Sequence, residues 1–295
     1  MNVKRNSLLK RILLIVKTGV LALLFSTSLH ASQAHEQPLT LEQQLPQDSR
    51  VPGGIAVIPL PQASANPEVV FKSKPVWKIT GENGQQWAII GIPLKQKPGT
   101  VKYLINDKPH SFEIKNKTYK EQHLTVKKKH SNPPADQIKR IQKESRLSRN
   151  AFNQFSDINK NTPYKSLILP AQGPISSPFG LKRFFNKQAR RPHSGIDIAA
   201  PRGSEIIAPR DGKIILTGNF FFNGNSIFID HGQGLITMYC HMDELESEQG
   251  QLVKAGDLIG RIGSTGRATG PHLHWTVSLN NTRIEPLLFL ETPAI

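Results

Sequence analysis

Two stretches, Arg191-Pro-His-Ser-Gly-Ile-Asp197 and Gly270-Pro-His-Leu-His-Trp275, decide how this chain of 295 residues is read. Side chains alternate faces along a strand. His193, Gly195 and Asp197 therefore fall on one face, with Ile196 and Ile198 on the other. His272, His274, Thr276 and Ser278 share a face that Leu273, Trp275, Val277 and Leu279 oppose. Residues 235–242 alternate too, which predicts Tyr239 and His241 pointing together with Met238, Cys240 and Met242 behind. Each segment reads as a strand with an apolar back against a core and a histidine-bearing front.

The three segments supply imidazoles and one carboxylate beyond what a lone surface histidine explains. Three protein ligands with an open fourth position are the mark of a catalytic rather than a structural zinc site, and spare imidazoles can handle its protons. Of the ten histidines, His30, His35, His110, His123 and His130 lie outside this constellation. His231 stands in Asp230-His-Gly-Gln-Gly, which reads as a turn with a structural histidine.

Ser177-Pro-Phe-Gly180, Arg191-Pro-His-Ser-Gly-Ile-Asp197, Tyr239-Cys-His-Met242 and Gly270-Pro-His-Leu-His-Trp275 together resemble the lysostaphin/LytM-type zinc metallopeptidases of peptidoglycan. The resemblance covers about residues 165 to 290. It implies that His193, Asp197 and His274 bind Zn2+ and that His241 and His272 are the non-ligand active-site histidines. None of these five positions departs from the family pattern. The implied activity is hydrolysis of peptide cross-links in peptidoglycan by attack of a metal-bound water.

Zinc lowers the pKa of a bound water toward neutrality and polarises a carbonyl. The chain has no His-Glu-x-x-His helix, so no glutamate of that kind serves as base, and proton handling falls to His241 and His272. The sequence does not divide the two jobs between them. Cys240, the only cysteine, is expected on the apolar face of its strand, turned away from His241, as a packing residue rather than a nucleophile. The segment Gly263-Ser-Thr-Gly-Arg-Ala-Thr-Gly270 lacks the Gly-Lys-Ser/Thr ending of a phosphate loop and reads as a groove rim, with Arg267 and Thr269 near substrate.

Lys4, Arg5, Lys10 and Arg11 precede an apolar stretch over residues 12–25, interrupted by Lys17 and followed by Ser32-Gln-Ala34. That is the layout of a signal peptide over residues 1–34, which implies export to the periplasm or cell envelope. The competing layout is an uncleaved anchor over residues 12–29. The formal net charge is +16, and +11 without residues 1–34. So basic a protein is drawn to polyanions, here an anionic wall or a transient membrane-surface contact. The basic residues are dispersed and no nucleic-acid-binding signature is present, which argues against nucleic acid. Lys127-Lys-Lys129 reads as a solvated run.

The expected fold is mainly β. Short apolar or alternating runs at 55–60, 76–79, 87–92, 101–105, 111–114 and 123–126, with turn residues at Asn83-Gly84 and Asn106-Asp107, predict a small N-terminal β-sandwich over residues 50–127. Val51-Pro-Gly-Gly-Ile-Ala-Val57 and Gly91-Ile-Pro-Leu94 resemble the β-domain that precedes the catalytic domain in some Gram-negative wall metallopeptidases. A helical linker is expected over 128–160, its stripe made by Ile138, Ile141, Leu147, Phe152 and Phe155. An antiparallel metallopeptidase domain with a substrate groove follows over 165–290, punctuated by glycines.

The resemblance favours a D,D-endopeptidase cutting D-Ala–diaminopimelate cross-links, with a glycyl-glycine endopeptidase left open. A second class is a non-catalytic LytM-type activator of cell-wall amidases. A third arrangement is an enzyme held latent by its own N-terminal domain over the groove, in which case a chain starting near Thr162 digests wall faster than one starting at His35. Oligomeric state is not legible in the sequence.

Overall fold

The computed structural model describes residues 45–62, 66–81, 84–124, 133–160, 162 and 164–291. The expected leader, Asn83, Val126 and the run Lys127-Lys-Lys129 lie outside the described residues. No described helix is long and apolar enough to cross a membrane.

The first seven strands are β1 (Ile55–Pro59), β2 (Val69–Phe71), β3 (Lys74–Pro75), β4 (Trp77–Thr80), β5 (Gln86–Gly91), β6 (Gly99–Ile105) and β7 (Lys108–Ile114). They form two antiparallel sheets, β1-β5-β4 and β3-β2-β6-β7. Ala56, Ile58, Ile90, Phe71, Tyr103, Phe112 and Ile114 fill the space between them, the layered core of a sandwich. Asn106 and Asp107 both take positive φ (46° and 61°), as a two-residue hairpin of right-handed strands requires. The brief strand β2 has no separate periodic signal because it is only three residues long.

Further strands are β8 (Glu121–Leu124), β9 (Ile175–Ser177), β10 (Lys182–Phe185), β11 (Gln188–Ala189), β12 (Ile196–Ile198), β13 (Glu205–Ile207), β14 (Gly212–Phe220), β15 (Gly224–Asp230), β16 (Leu235–Leu245), β17 (Leu252–Val253), β18 (Leu258–Ile262), β19 (Leu273–Leu279) and β20 (Thr282–Ile284). The main sheet runs β17-β14-β15-β16-β19-β12-β9, with β20 beside β19 and β18 joining β13 to β16. Its pairings are antiparallel. The architecture is therefore mainly β, as the alternation of the sequence implies.

Each face of this sheet has its own partner. Leu273, Trp275, Val277 and Leu279 join Tyr239, Ile227, Ile229, Ile196 and Ile198 in a buried cluster that also takes in Ile55, Trp77, Ile79, Trp87 and Ile89 of the sandwich. Ile55 and Ile89 alternate with Ala56 and Ile90, so the β1-β5-β4 sheet is apolar on both faces and buries both. Trp77 lies edge-on to Tyr164 at 5.5 Å and stacks on Phe289 at 6.3 Å. The described sandwich thus meets the main sheet on its core face, opposite the face that carries His274, rather than lying over the groove as the latent arrangement supposes.

The linker helix, α1 (Ile138–Phe152), covers part of the other face. Its expected apolar stripe does not form: only Ala151 and Phe152 are buried, while Ile138 and Leu147 are exposed. The helix is instead anchored at its end, where Phe152 packs on Phe228 at 5.2 Å and lies under the Arg283 guanidinium at 3.6 Å. Polar contacts complete the anchorage: Glu144 Oε2 accepts from the Phe221 backbone N–H at 2.8 Å, and Arg140 Nη2 donates to the Asn219 carbonyl at 3.1 Å.

His231 lies on the core side of the fold. Its Nδ1–H donates to the Asp211 carbonyl at 2.9 Å, which leaves Nε2 to accept from Thr237 Oγ1 at 2.8 Å; Thr237 in turn contacts the Tyr239 hydroxyl at 2.8 Å. Burial pushes this imidazole down to about 4, only partly opposed by the Asp211 carbonyl. Below pH 6.5 the unfolded chain therefore binds a proton that the folded chain refuses until about pH 4. The neutral ring's contribution is fully present above pH 6.5 and lost as pH falls toward 4, a span on the order of 3 kcal/mol. Urea unfolding from pH 7 to 4 should show this loss, with a visibly shallower slope in His231→Gln; an unchanged slope would count against it.

Candidate metal centre

Register places the candidate ligands. Asp197 of β12 pairs directly with His274 of β19, and His274 pairs with Cys240 of β16 on its other side. Ser177 of β9 flanks Asp197. Ser177, Asp197, His274 and Cys240 therefore form one row on one face. His193 precedes β12 and is not a strand residue. It reaches the row because its backbone N–H bonds to the Leu181 carbonyl at 3.0 Å and its carbonyl accepts from Gly180 at 2.8 Å.

Three atoms converge. His193 Nε2 lies 2.9 Å from Asp197 Oδ1 and 2.9 Å from His274 Nδ1, and His274 Nδ1 lies 2.8 Å from Asp197 Oδ1. The outer ring nitrogens are held as well, and the carbonyl partner of His193 fixes its tautomer. His193 Nδ1–H donates to the Pro178 carbonyl at 2.8 Å, and His274 Nε2 pairs with Thr276 Oγ1 at 3.0 Å. In the neutral ring, His193 Nε2 and Asp197 Oδ1 are thus two acceptors 2.9 Å apart. Acceptors so close repel unless a shared cation or proton lies between them. A tetrahedral ion with bonds of about 2.0–2.1 Å holds its ligands about 3.3 Å apart, slightly wider than this triangle, so modest outward movement of the side chains accommodates zinc. Two imidazoles and one carboxylate also match zinc's ligand chemistry.

Burial raises the Asp197 carboxyl, but the adjoining His193 and His274 imidazoles more than offset that and hold it well below the usual carboxylate range. Burial lowers His274, with Asp197 opposing, which favours the neutral ring a ligand needs.

The other two histidines adjoin this triangle. His272 Nε2 is 3.9 Å from Asp197 Oδ1, and the His241 and His272 rings are 4.8 Å apart. Their Nδ1–H groups donate to the carbonyls of Gly270 and Thr265, each at 2.8 Å, leaving the Nε2 atoms as acceptors. Burial pushes His241 down to about 4, only partly opposed by its bond to the Thr265 carbonyl; the neighbouring histidines lower it further. It is therefore neutral near pH 7. All five residues singled out in the sequence are brought together.

The expected alternation fails at His241. Tyr239 is in the core with Trp275, so an unbroken strand would have buried His241 beside it. His241 instead takes φ +65°, close to the β16 irregularity between Met242 and Glu244, and its ring turns to the His272 side. A bulge that re-aims a side chain is a known device next to sites. Met242 consequently returns to the core face. Cys240 is also placed otherwise than expected, since it shares the His274 face, packed with Met238 and Phe228. Burial pushes its thiol up to about 12, which leaves it a packing group.

Sequence reasoning did not find the carbonyls of Pro178, Thr265 and Gly270, because a carbonyl has no residue-type signal. It also missed Arg183, whose Nη2 donates to Ser177 Oγ at 3.0 Å and lies 3.5 Å from Asp197 Oδ2.

Residues 191–286 match Peptidase family M23, and residues 48–117 match the Peptidase family M23 N-terminal domain. A solved Pseudomonas aeruginosa structure assigned to peptidase M23 is 36% identical, covering 85% of this chain and 98% of that one with a TM-score of 0.68. Among curated relatives, DD-carboxypeptidase/endopeptidase Mpg of Neisseria meningitidis is 41% identical over 122 residues, 41% of this chain and 28% of that protein. Peptidoglycan DD-endopeptidase ShyB of Vibrio cholerae is 39% identical over 114 residues, 38% of this chain and 27% of that protein. The chain thus spans little more than a quarter of the length of these curated relatives. It belongs to peptidase family M23.

Removing one corner of the triangle should remove the metal, whereas removing an outer imidazole should not. Metal analysis after dialysis should find zinc near one equivalent in the parent protein and in His272→Ala, and well under a tenth of that in His274→Ala. Loss of zinc from His272→Ala would reassign that residue as a ligand.

Proposed function

We propose that this protein is an exported zinc-dependent endopeptidase that hydrolyses peptide cross-links of peptidoglycan, with D-Ala–diaminopimelate bonds as its substrate class. The observation that carries the reading is the triangle of His193 Nε2, Asp197 Oδ1 and His274 Nδ1 with two carbonyl-oriented imidazoles beside it. Family membership and the DD-endopeptidase names of Mpg and ShyB support the substrate. The division into a leader over 1–34, a β domain over 50–127, a linker over 128–160 and a catalytic domain over 165–290 is part of this proposal, as is a periplasmic or envelope location.

His193, Asp197 and His274 would hold the zinc, which when bound supplies a Lewis acid for the scissile carbonyl and acidifies a water. The protein's own groups do the rest. His241 and His272 each have Nδ1–H held by a backbone carbonyl, which leaves Nε2 as the atom that exchanges protons. His241, neutral near pH 7, is suited to accept a proton from the attacking water. His272, its Nε2 3.9 Å from Asp197 Oδ1, is placed to stabilise developing negative charge or pass a proton to the leaving amine when that nitrogen carries a proton. The sheet face offers an open floor on which an extended peptide lies without a deep side-chain pocket.

Purified peptidoglycan should lose its cross-linked fragments on digestion, and chelator should stop this until zinc is restored, as read by mass analysis of the fragments. His241→Ala and His272→Ala should each cost about 10²–10⁴ in rate. Chelator-insensitive release, or release only when a separate amidase is added, would favour the activator reading.

A further inference from the structure

Arg183 stands beside the ligand carboxylate with part of its hydrogen-bonding capacity unspent. It lies in β10, which pairs in parallel with β8 and antiparallel with β11. Nη2 is engaged with Ser177 Oγ at 3.0 Å and Asp197 Oδ2 at 3.5 Å. The latter is long for an ion pair. Its Nε is buried with no hydrogen-bond partner among the described residues. The side chain is nevertheless 30% exposed, so it is not sealed from solvent. A buried donor left unpaired is costly, and a guanidinium fork fits a carboxylate through two parallel bonds.

A second guanidinium backs it. Arg267, on the loop between β18 and β19, lies over the Phe222 ring at 4.5 Å and makes no ion pair among the described residues. Burial lowers its pKa, and the nearby charges of Arg183 and Arg190 lower it further. Cations are thus gathered at one wall of the site. Asp197 is the acid facing Arg183 there, and its other oxygen belongs to the ligand triangle.

We propose that Arg183, backed by Arg267, forms a carboxylate-binding subsite that selects peptides in which the carbon bearing the leaving amine also carries a free carboxylate. This rests on the peptidase reading above and narrows its substrate. Arg183 touches one oxygen of the very carboxyl whose other oxygen is a candidate ligand, so the subsite is one carboxyl's width from the scissile bond. In a D-Ala–diaminopimelate cross-link, the carbon bearing the scissile nitrogen carries such a carboxylate. In a glycyl-glycine bridge the corresponding group is a neutral amide, which cannot pair with a guanidinium in this way. The subsite therefore separates the two bond classes that sequence reasoning left open.

The test uses the zinc-loaded full chain and two D-Ala–diaminopimelate-linked peptides that differ only in whether that carboxyl is free or amidated. The parent protein should prefer the free acid by at least about tenfold in kcat/KM. Arg183→Gln should lose that preference through activity on the free acid, with the amide little changed, and Arg183→Lys should restore part of it. Equal loss on both peptides would overturn the subsite in favour of a role confined to holding Asp197, and so would a parent protein indifferent to amidation. A binding arm uses N-acetyl-D-alanine and N-acetyl-D-alaninamide in calorimetry, with zinc content measured on the same samples. Arg183→Gln should weaken the acid at least about tenfold and leave the amide unchanged, and equal affinities in both proteins would overturn the proposal. A parent protein that cuts neither peptide yet binds the acid through Arg183 would count against the peptidase activity and sustain the subsite.

Discussion

The site depends on the cross-strand pairing of Asp197 with His274. A slip of one residue between β12 and β19 would turn every side chain of one strand to the other face and part the carboxylate from the imidazole. The core resists that slip. Leu273, Trp275 and Val277 are fully buried on one face of β19, and Ile196 and Ile198 are fully buried beside them. Gly195 permits the close approach, since a Cβ there would lie 2.2 Å from the Trp275 carbonyl oxygen. Burial of apolar surface on one side of the sheet thus sets ligand geometry on the other.

Loop backbone supplies the next constraint. Three imidazoles have their Nδ1 protons held by carbonyls, of Pro178, Thr265 and Gly270. A carbonyl can only accept, so each bond dictates that a proton sits on Nδ1 and that Nε2 is the bare nitrogen of the neutral ring. Thr265 holds the rim in turn, because its hydroxyl donates to the Met242 carbonyl at 2.7 Å and accepts from the Asn225 N–H at 2.9 Å. The glycine-containing segment after β18 is therefore an orienting frame for two histidines.

Much of this was legible because strand alternation is a strong pattern. The faces of β19 follow directly from Leu273, Trp275 and Val277 alternating with His274 and Thr276, and the five chemical residues stood out by type and spacing. What was not legible came from breaks in pattern or from backbone atoms. A positive φ at His241 inverts the side-chain order of β16 and moves Cys240 relative to it, and no residue in Tyr239-Cys-His-Met242 announces a left-handed conformation. The helix stripe misled for another reason. Ile138 and Ile141 share a helical face with Phe152, but the surface that α1 meets is small and engages Phe152, Glu144 and Arg140 instead. The pairing of β8 with β10 joins segments about 60 residues apart by only four residues each, which no local periodicity encodes.

Floor and walls of the groove are consequently held by different forces. The floor is a sheet sealed on its far face by the sandwich, through Trp77, Trp87 and Ile89, so it moves only if the core moves. The walls are held mainly by polar contacts at or near the surface: the β10–β11 hairpin by β8 and the Lys182–Glu121 ion pair at 3.2 Å, and the rim by Arg202–Asp243 at 2.7 Å. Exposed ion pairs contribute little apiece, and segments with few buried apolar contacts open at lower free energy than a core. A rigid floor fixes the ligand triangle, while walls of lower local stability can adjust to an extended, cross-linked chain. Arg183 stands at the junction, on a wall strand but in contact with Ser177 and Asp197 of the floor, where adjustment of the wall to a substrate is felt directly at the ligand carboxylate.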